Sequence, residues 1–274
     1  MERTFLLCGV NIKPYLFVLQ TQLITFTTDF GLTDGSVTLL KLHIAKHLPN
    51  IAFNDISHDI KALQISHAAY LIENLYPHFP AASLHVILVN SHHHKNSELI
   101  FAKCNEHYFL SPNNGIFNLL FQNKNTEYRK ANTLHKNNQF NANIAEAIRL
   151  FFDAHEFNQL GEVYQIEQLN FRDKIKKDAS GIKGNIWLID SFGNLITNIH
   201  RNDLIEMIGD KKIEIHYGYK EPLTAIHSHV YDVDTHEPVA YFNQFNYLEI
   251  AIRNYNISRI FNLKEGDSVK IIPV

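Results

Sequence analysis

The chain has 274 residues, enough for one large domain or two modest ones with an ample apolar core. Its hydrophobic share of 45% and charged share of 19% are ordinary for a soluble globular protein, and a net charge of -3 without a basic stripe disfavours nucleic-acid binding. The two cysteines, Cys8 and Cys104, match no metal or redox spacing, so we expect free thiols in a reducing cytoplasm.

Residues 1–22 precede the first predicted core strand and are expected to form an N-terminal extension. Their two apolar runs, residues 5–8 and 15–19, are separated by polar residues. Neither run approaches the roughly 20 apolar residues of a membrane-spanning helix, and no small-residue cleavage site follows the second run. We therefore expect no membrane association and a cytoplasmic protein.

Residues 23–160 have the pattern of an α/β domain. Short apolar runs predict strands at residues 23–27, 51–56 and 84–89. Apolar residues at helical spacing predict helices at residues 37–48 and 65–75, and a later one at residues 144–151. The alternation of strand and helix indicates a mainly parallel sheet with right-handed crossovers.

Residues 183–274 predict a second domain of a different type. Short strands are predicted at residues 186–189, 195–199, 213–217, 239–242, 248–252 and 269–272. Short helical pieces are predicted only at residues 204–208 and 256–261. This pattern favours an all-β, barrel-like domain, and the polar, mixed residues 161–182 are the predicted linker between the two domains.

Two Asp-rich turns, at residues 28–36 and 189–200, are the candidate ligand-binding segments. Each follows an apolar run, and loops at the carboxyl ends of strands are where α/β sheets bind ligands. Neither turn has the basic or Gly-rich character of a phosphate site. Carboxylates and an amide suit hydroxyls, amines and the edge of an adenine better.

With these residues the chain resembles the S-adenosyl-L-methionine hydroxide adenosyltransferase family, relatives of the bacterial fluorinase and chlorinase. The segments that carry the resemblance are residues 28–36, 55–58, 111–115, 189–204, 243–252 and 263–267. The resemblance implies an α/β N-terminal domain, a β-barrel C-terminal domain and a homotrimer with nucleoside sites between subunits. It also implies hydrolysis of S-adenosyl-L-methionine to adenosine and L-methionine at the ribose 5′-carbon, with no metal or cofactor.

By position, the resemblance implies these substrate-binding residues: Asp29, Asp34, Asp190, Phe192, Asn194, Glu249 and Ala251. Asp34 would accept hydrogen bonds from the ribose hydroxyls, with Asp29 shaping the same turn. Asp190 would hold the methionine ammonium and Asn194 the adenine edge. The backbone from residue 248 to residue 251 would pass beside the adenine.

Two of these residues have an alternative interpretation that does not involve a ligand. Asp29 is equally well explained as a cap or an Asx-turn, because Asp at the end of a strand most often serves the turn itself. Phe192, which would stack on or border the base, is nearly as well explained as a core side chain.

The catalytic segment departs from the family pattern. The family's hydrolases use an Asp, an Arg and a His, but Asn90 occupies the Asp position and Ser97 the Arg position. The implied His is His135, and Asn90 cannot replace a carboxylate as a base because it carries an amide. His93, in the run of residues 92–94, is a candidate replacement base.

The same His run makes a metal site unfavourable, because adjacent residues of an extended chain point in alternating directions. A halogenase is also disfavoured, since residues 97–111 leave no room for the loop that the fluorinase carries there. Three hypotheses remain: a SAM hydrolase, a nucleoside-binding module without turnover, and a changed reaction that uses the His-rich loop.

Overall fold

The computed structural model describes residues 23–62, 64–91, 98–121, 124–132, 140–166, 175–209, 211–218 and 221–274. The strands are β1 (Leu23–Thr28), β2 (Ala52–Ser57), β3 (Leu84–Leu88), β4 (Leu99–Cys104), β5 (His107–Pro112), β6 (Thr126–Ala131), β7 (Gly161–Val163), β8 (Lys176–Asp178), β9 (Gly181–Ile189), β10 (Leu195–His200), β11 (Ile213–Tyr217), β12 (Ile226–His227), β13 (Pro238–Phe242), β14 (Tyr247–Ile252) and β15 (Ser268–Pro273). The α-helices are α1 (Ser36–Ala45), α2 (Ile65–Leu75), α3 (Ile116–Leu120), α4 (Phe140–Asp153), α5 (Arg201–Ile208) and α6 (Ile257–Phe261).

The first sheet has seven strands in the order β2-β1-β3-β5-β4-β6-β7. The pairs β1–β2, β1–β3 and β3–β5 are parallel, whereas β4–β5, β4–β6 and β6–β7 are antiparallel. The prediction of a mainly parallel sheet therefore holds for half of the strand pairs only. The reason is the short turn between β4 and β5, since a two-residue hairpin can join only antiparallel strands.

Helices cover both faces of this sheet. The apolar faces of α1 and α4 pack on one side, and α2 and α3 pack on the other. Every residue of β3 is buried because this strand lies between two covered faces. The carboxyl ends of β1, β2 and β3 consequently meet at one edge of the sheet, and the turns that follow them lie side by side.

The second sheet has eight strands, with the path β11-β15-β9-β10-β14-β13-β12 and β8 paired to β9. All its pairs are antiparallel except β12–β13. A bridge between Ile215 and Leu223 joins the first strand of the path to the segment before the last one, so the sheet curls back on itself. The helices α5 and α6 match the two short helical pieces that the sequence predicts.

The interval predicted as a linker, residues 161–182, carries strands at both ends. Its first part, β7, belongs to the first sheet, and β8 with the start of β9 belongs to the second. Tyr70 of α2 is one contact between the two parts, since it packs edge-on against Trp187, Phe245 and Tyr247. None of the described helices has the length and apolar character that a membrane crossing requires. The predicted N-terminal extension lies outside the described residues.

Candidate active site

The turn after β1, residues 29–35, lies at the carboxyl edge of the first sheet. Gly31 and Gly35 adopt left-handed backbone conformations, with φ of 67° and 76°, which allow the chain to reverse before α1. Asp29 Oδ2 accepts a hydrogen bond of 2.8 Å from the Asn90 backbone N–H. Asp29 therefore ties this turn to the residues that follow β3.

Asp34 lies on the exposed part of the same turn. Its Oδ1 accepts the Ser36 backbone N–H at 2.9 Å, at the start of α1. This hydrogen bond lowers the pKa of Asp34 below its ordinary value, and a hydrogen bond with the Ser36 hydroxyl contributes a smaller lowering. Asp34 is therefore ionised at neutral pH, and an ionised carboxylate suits a ligand that presents hydroxyl groups.

A pocket of about 250 Å³ opens between this turn and the end of β3. Its lining residues are Asp29, Phe30, Asp34, Ser36, Ala62, Asn90 and Ser91. Two polar atoms here, Asn90 Oδ1 and Ser91 Oγ, are buried without a hydrogen-bond partner among the described residues. Since a buried unpaired polar atom costs roughly 1–3 kcal/mol, these atoms favour a ligand or a water in the pocket.

The second Asp-rich turn follows β9 and is closed by its own hydrogen bonds. Asp190 Oδ1 accepts the backbone N–H groups of Phe192 and Asn194 at 2.9 and 2.8 Å, and Oδ2 accepts Asn194 Nδ2 at 3.0 Å. Gly193 has a φ of 88°, and a Cβ there would lie 2.1 Å from Asn256 Cγ. The turn is thus rigid and specific for glycine at its tightest point.

Phe192, at the tip of this turn, is 77% exposed. The alternative in which Phe192 is a core side chain is therefore wrong for this chain. An exposed ring on a rigid turn is free to border a planar ligand or a neighbouring protein surface.

Glu249 is a buried carboxylate, 7% exposed, beside the Asp190 turn. Its backbone lies in β14, opposite Ile196 of β10 and Tyr241 of β13, and its side chain accepts a hydrogen bond from the Tyr241 hydroxyl. Burial raises the pKa of Glu249, the negative charge of Asp190 raises it further, and hydrogen bonds from Tyr241 and neighbouring amides oppose this. Burial and the bond to Glu249 also raise the pKa of Tyr241.

The structure thus forms two groups from the predicted residues. Asp29, Asp34 and Asn90 share the pocket at the first sheet, whereas Asp190, Asn194 and Glu249 cluster on the second. None of the described residues of the second sheet lines the pocket at Asp34.

Apart from the exposed Phe192, three predicted residues belong to neither group as the structure describes it. Ala251 is fully buried in β14, opposite Val239. His93 and His135 lie outside the described residues, so their catalytic roles stay predictions. No group of three or more His, Cys, Asp or Glu side chains within the described ranges is placed to hold a metal ion.

Sequence reasoning missed Ser91, Tyr241 and Asn243 as members of these groups. Asn243 Nδ2 donates to the Tyr70 hydroxyl at 3.2 Å, so it links the Glu249 cluster to α2 of the first sheet. The Tyr241–Glu249 pair depends on the register of β13 against β14, which no local pattern reveals. Ser91 follows a predicted strand, but the sequence does not show that its Oγ is buried and lacks a partner among the described residues.

Models of the SAM hydroxide adenosyltransferase N-terminal and C-terminal domains match residues 24–153 and 184–270. The chain therefore belongs to the SAM hydroxide adenosyltransferase family, as its resemblance predicted. The two matched parts contain the two groups of site residues described above.

Two relatives are named (R)-S-adenosyl-L-methionine hydrolase. The protein from Methanocaldococcus jannaschii is 25% identical over 268 residues, which cover 92% of this chain and 96% of the relative. The protein from Thermus thermophilus is 23% identical over 269 residues, covering 90% and 98%.

Solved structures share the fold. An uncharacterized conserved protein from Thermotoga maritima superposes with a TM-score of 0.78 at 23% identity, covering 91% of this chain and 99% of that one. A conserved hypothetical protein from Thermus thermophilus gives a TM-score of 0.74 at 21% identity, covering 92% and 100%. The mixed α/β architecture with two sheets is therefore that of known relatives.

Proposed function

We propose that this protein hydrolyses S-adenosyl-L-methionine to adenosine and L-methionine. The observation that carries the proposal is the match to two proteins named as hydrolases of this substrate over at least 90% of the chain. Both site groups support it, because they offer carboxylates and amides rather than a phosphate-binding site. The substrate presents ribose hydroxyls, an adenine edge and an ammonium group, which such side chains can bind.

In the proposed reaction a water oxygen bonds to the ribose 5′-carbon while the bond from that carbon to sulfur breaks. The bonding electron pair stays on sulfur, which leaves as the neutral thioether of methionine, and the water gives up one proton. The positive charge of the sulfonium drives the departure. Substrate and water balance the reaction, so no cofactor is required.

The pocket at the first sheet is the proposed place of the ribose and of the attacking water. Asp34 would accept hydrogen bonds from the ribose hydroxyls, and Asn90 Oδ1 and Ser91 Oγ, which have no partner among the described residues, would hold the water. Asn90 cannot accept the water's proton, since it carries an amide. Asp29, whose carboxylate accepts a hydrogen bond from the Asn90 N–H, is a carboxylate of this pocket that can accept that proton. His135 and His93 remain candidates for the same task.

The cluster on the second sheet is the proposed place of the remaining substrate parts. Asp190 and Glu249 together supply the negative charge that an ammonium group requires, and Asn194 and Phe192 would bind the adenine. Because the two groups line no common pocket in the described chain, we propose that a neighbouring subunit of a homotrimer completes each site. Residues 23–160 and 183–274 would act as the two domains that meet there.

Incubation of the purified protein with S-adenosylmethionine, followed by chromatography for adenosine, tests the proposed reaction. A blank without enzyme and a His135→Ala variant accompany it. The proposal predicts adenosine above the blank. Absence of adenosine, with S-adenosylmethionine still bound in calorimetry, would instead establish a nucleoside-binding module without turnover.

Mixing two impaired variants tests the assembly separately. Asp34→Asn disables the first-sheet group and Asp190→Asn the second-sheet group, so each variant alone is expected to keep only a small residual activity. After unfolding and joint refolding in equal amounts, about a quarter of intersubunit sites would combine two intact halves. Recovered activity near that fraction is expected, and a mixture as inactive as its components would contradict sites shared between subunits.

A further inference from the structure

His58 lies at the end of β2, in the same edge of the first sheet as the pocket, and is 6% exposed. Its Nδ1 is hydrogen-bonded to Thr28 Oγ1 at 2.9 Å, and its Nε2 lies 3.1 Å from Asp55 Oδ1, an ion-pair distance without hydrogen-bond geometry. The other oxygen of Asp55 accepts Lys41 Nζ at 2.6 Å. A buried histidine thus connects an anchored carboxylate to the last residue of β1.

In the row of contacts from Phe30 through Thr28 to His58, each group can donate a hydrogen bond to the next. A carboxylate only accepts hydrogen bonds, so we assign a ring proton to Nε2, on the side of Asp55. Nδ1 then accepts a hydrogen bond from the Thr28 hydroxyl. The Thr28 oxygen in turn accepts the Phe30 backbone N–H at 3.3 Å. The hydrogen bonds therefore run from the Phe30 amide through the Thr28 hydroxyl to the His58 ring, and such aligned bonds strengthen one another.

The charge of Asp55 fits this arrangement. Partial burial opposes ionisation, yet the hydrogen bond from Lys41 and the contact with His58 outweigh it and lower the pKa of Asp55. Asp55 is therefore ionised at neutral pH, and its charge faces the His58 ring.

The backbone of His58 makes a second contact with the turn, since its carbonyl accepts the Gly31 N–H at 2.8 Å. The outer part of the turn has little support of its own. Leu32 is 76% exposed, and the Cα atoms of Gly31 and Gly35 face open space on the side where a Cβ would project. The positions of Asp29 and Asp34 are consequently set at the base of the turn, where His58 acts.

We propose that His58 is a positioning residue that, through Thr28 and Gly31, holds the Asp29–Asp34 turn in the geometry that binds the ribose. This inference rests on the proposed function of that turn. His58 would touch neither substrate nor water. Without the His58 contacts, substrate binding would have to order the turn. That cost weakens binding, while the chemical step is preserved.

The same strand provides a matched control. Thr25, near the opposite end of β1, has its Oγ1 2.8 Å from His85 Nδ1. Thr25 and Thr28 are both fully buried, and three residues of strand, roughly 10 Å, separate them. Thr25→Val and Thr28→Val therefore delete the same hydroxyl-to-imidazole contact, once in the core and once under the turn.

The experiment compares KM, kcat and melting temperature for both variants with S-adenosylmethionine. Thr28→Val is expected to raise KM on the order of tenfold, as loss of a buried hydrogen bond would, while kcat stays within about twofold. Thr25→Val is expected to lower the melting temperature and leave KM unchanged. Thr28→Ser, which keeps the hydroxyl, is expected to restore KM.

Hydrogen exchange separates this inference from the proposed reaction. Thr28→Val is expected to speed exchange at the Phe30 and Gly31 amides by about tenfold in the free protein, and Thr25→Val is not. That comparison is informative even if wild-type protein releases no adenosine. Asp55→Asn, at a side chain 40% exposed, provides a second variant with a smaller shift in the same direction. Wild-type KM and exchange in both Thr28→Val and Asp55→Asn, or an equal KM rise in Thr25→Val, would overturn the inference.

Discussion

The two ends of the first sheet bury nearly identical pairs and use them differently. At the carboxyl edge Thr28 meets His58 at 2.9 Å, and at the other end Thr25 meets His85 at 2.8 Å. His58 continues to Asp55 and to an exposed turn. His85 continues only to another buried histidine, His107, at 3.3 Å among the described residues.

The surroundings explain the difference. His85 is enclosed by aromatic rings, with centroid distances of 5.0 Å to Phe109, 5.5 Å to Phe79 and 6.1 Å to Tyr76. This end of the sheet is closed, and its polar pair completes the core. The carboxyl edge instead leaves Asn90 Oδ1 and Ser91 Oγ without described partners. Polar groups available to a ligand thus lie at the carboxyl edge of the sheet, whereas those at the His85 end only stabilise the fold.

The largest expected effect is at Asp34. Asp34→Asn removes the charged acceptor for the ribose hydroxyls, and kcat/KM is expected to fall on the order of 100-fold. Asp178→Asn is a matched control, because Asp178 Oδ1 accepts the Ser180 N–H at 2.8 Å just as Asp34 accepts that of Ser36. Steady-state adenosine release measures both variants. An equal loss of kcat/KM in the two variants would mean that the carboxylate stabilises its own turn and does not bind the ligand.

A smaller effect is expected at Asn90. Asn90→Gly keeps the left-handed backbone, φ 55°, and deletes the Oδ1 that lacks a partner in the described part of the chain, so kcat is expected to fall about tenfold with little change in KM. The control is Asn105→Gly, at a turn residue with φ of 54° outside the pocket. Single-turnover rates give the comparison. An unchanged chemical step in Asn90→Gly would remove Asn90 from the proposed water site.

The smallest effect concerns acid stability at the closed end. Burial, and secondarily the charge of His107, lowers the pKa of His85 from 6.5 to about 3. Below pH 6.5 the unfolded chain binds a proton that the folded chain excludes, so stability falls as pH drops towards 3. The limiting slope is about 1.4 kcal/mol per pH unit.

Urea unfolding at about pH 7.5 and about pH 5.5 measures this contribution. The stability difference between the two pH values is expected to shrink in His85→Gln and to persist in His47→Gln, at an exposed position. If His85→Gln loses as much stability between these values as wild type, the closed end does not supply the acid sensitivity.

The sequence predicted the fold best where the pattern is local. The predicted helix at residues 65–75 shares both bounds with α2, and the runs at residues 23–27 and 84–89 correspond to β1 and β3. Strand β6 escaped prediction because its segment, TEYRKA, carries three charged residues and pairs with β4 through a non-local contact. The antiparallel pairings of β6 with β4 and β7 were missed for that reason, whereas the sequence does predict the β4–β5 pair, as a hairpin of residues 100–104 and 107–110.

The site was predictable to the extent that strand ends converge. Asp29, Asp34 and Asn90 follow β1 and β3 and share a pocket, as adjacent parallel strands require. His58 lies in residues 55–58, one of the segments that carry the family resemblance, but the sequence predicts no role for it because only the fold brings it to Thr28. The pairing of Tyr241 with Glu249 likewise follows from strand register, and the unpaired state of Ser91 within the described chain follows from burial.

The most direct test of the central claim is turnover of S-adenosylmethionine in water enriched in heavy oxygen, with both products analysed by mass spectrometry. Attack of water on the ribose 5′-carbon predicts equal amounts of adenosine and methionine, with the heavy isotope in the adenosine 5′-hydroxyl and none in methionine. Adenosine without the heavy isotope, or no adenosine above the enzyme-free blank, would contradict hydrolysis at that carbon.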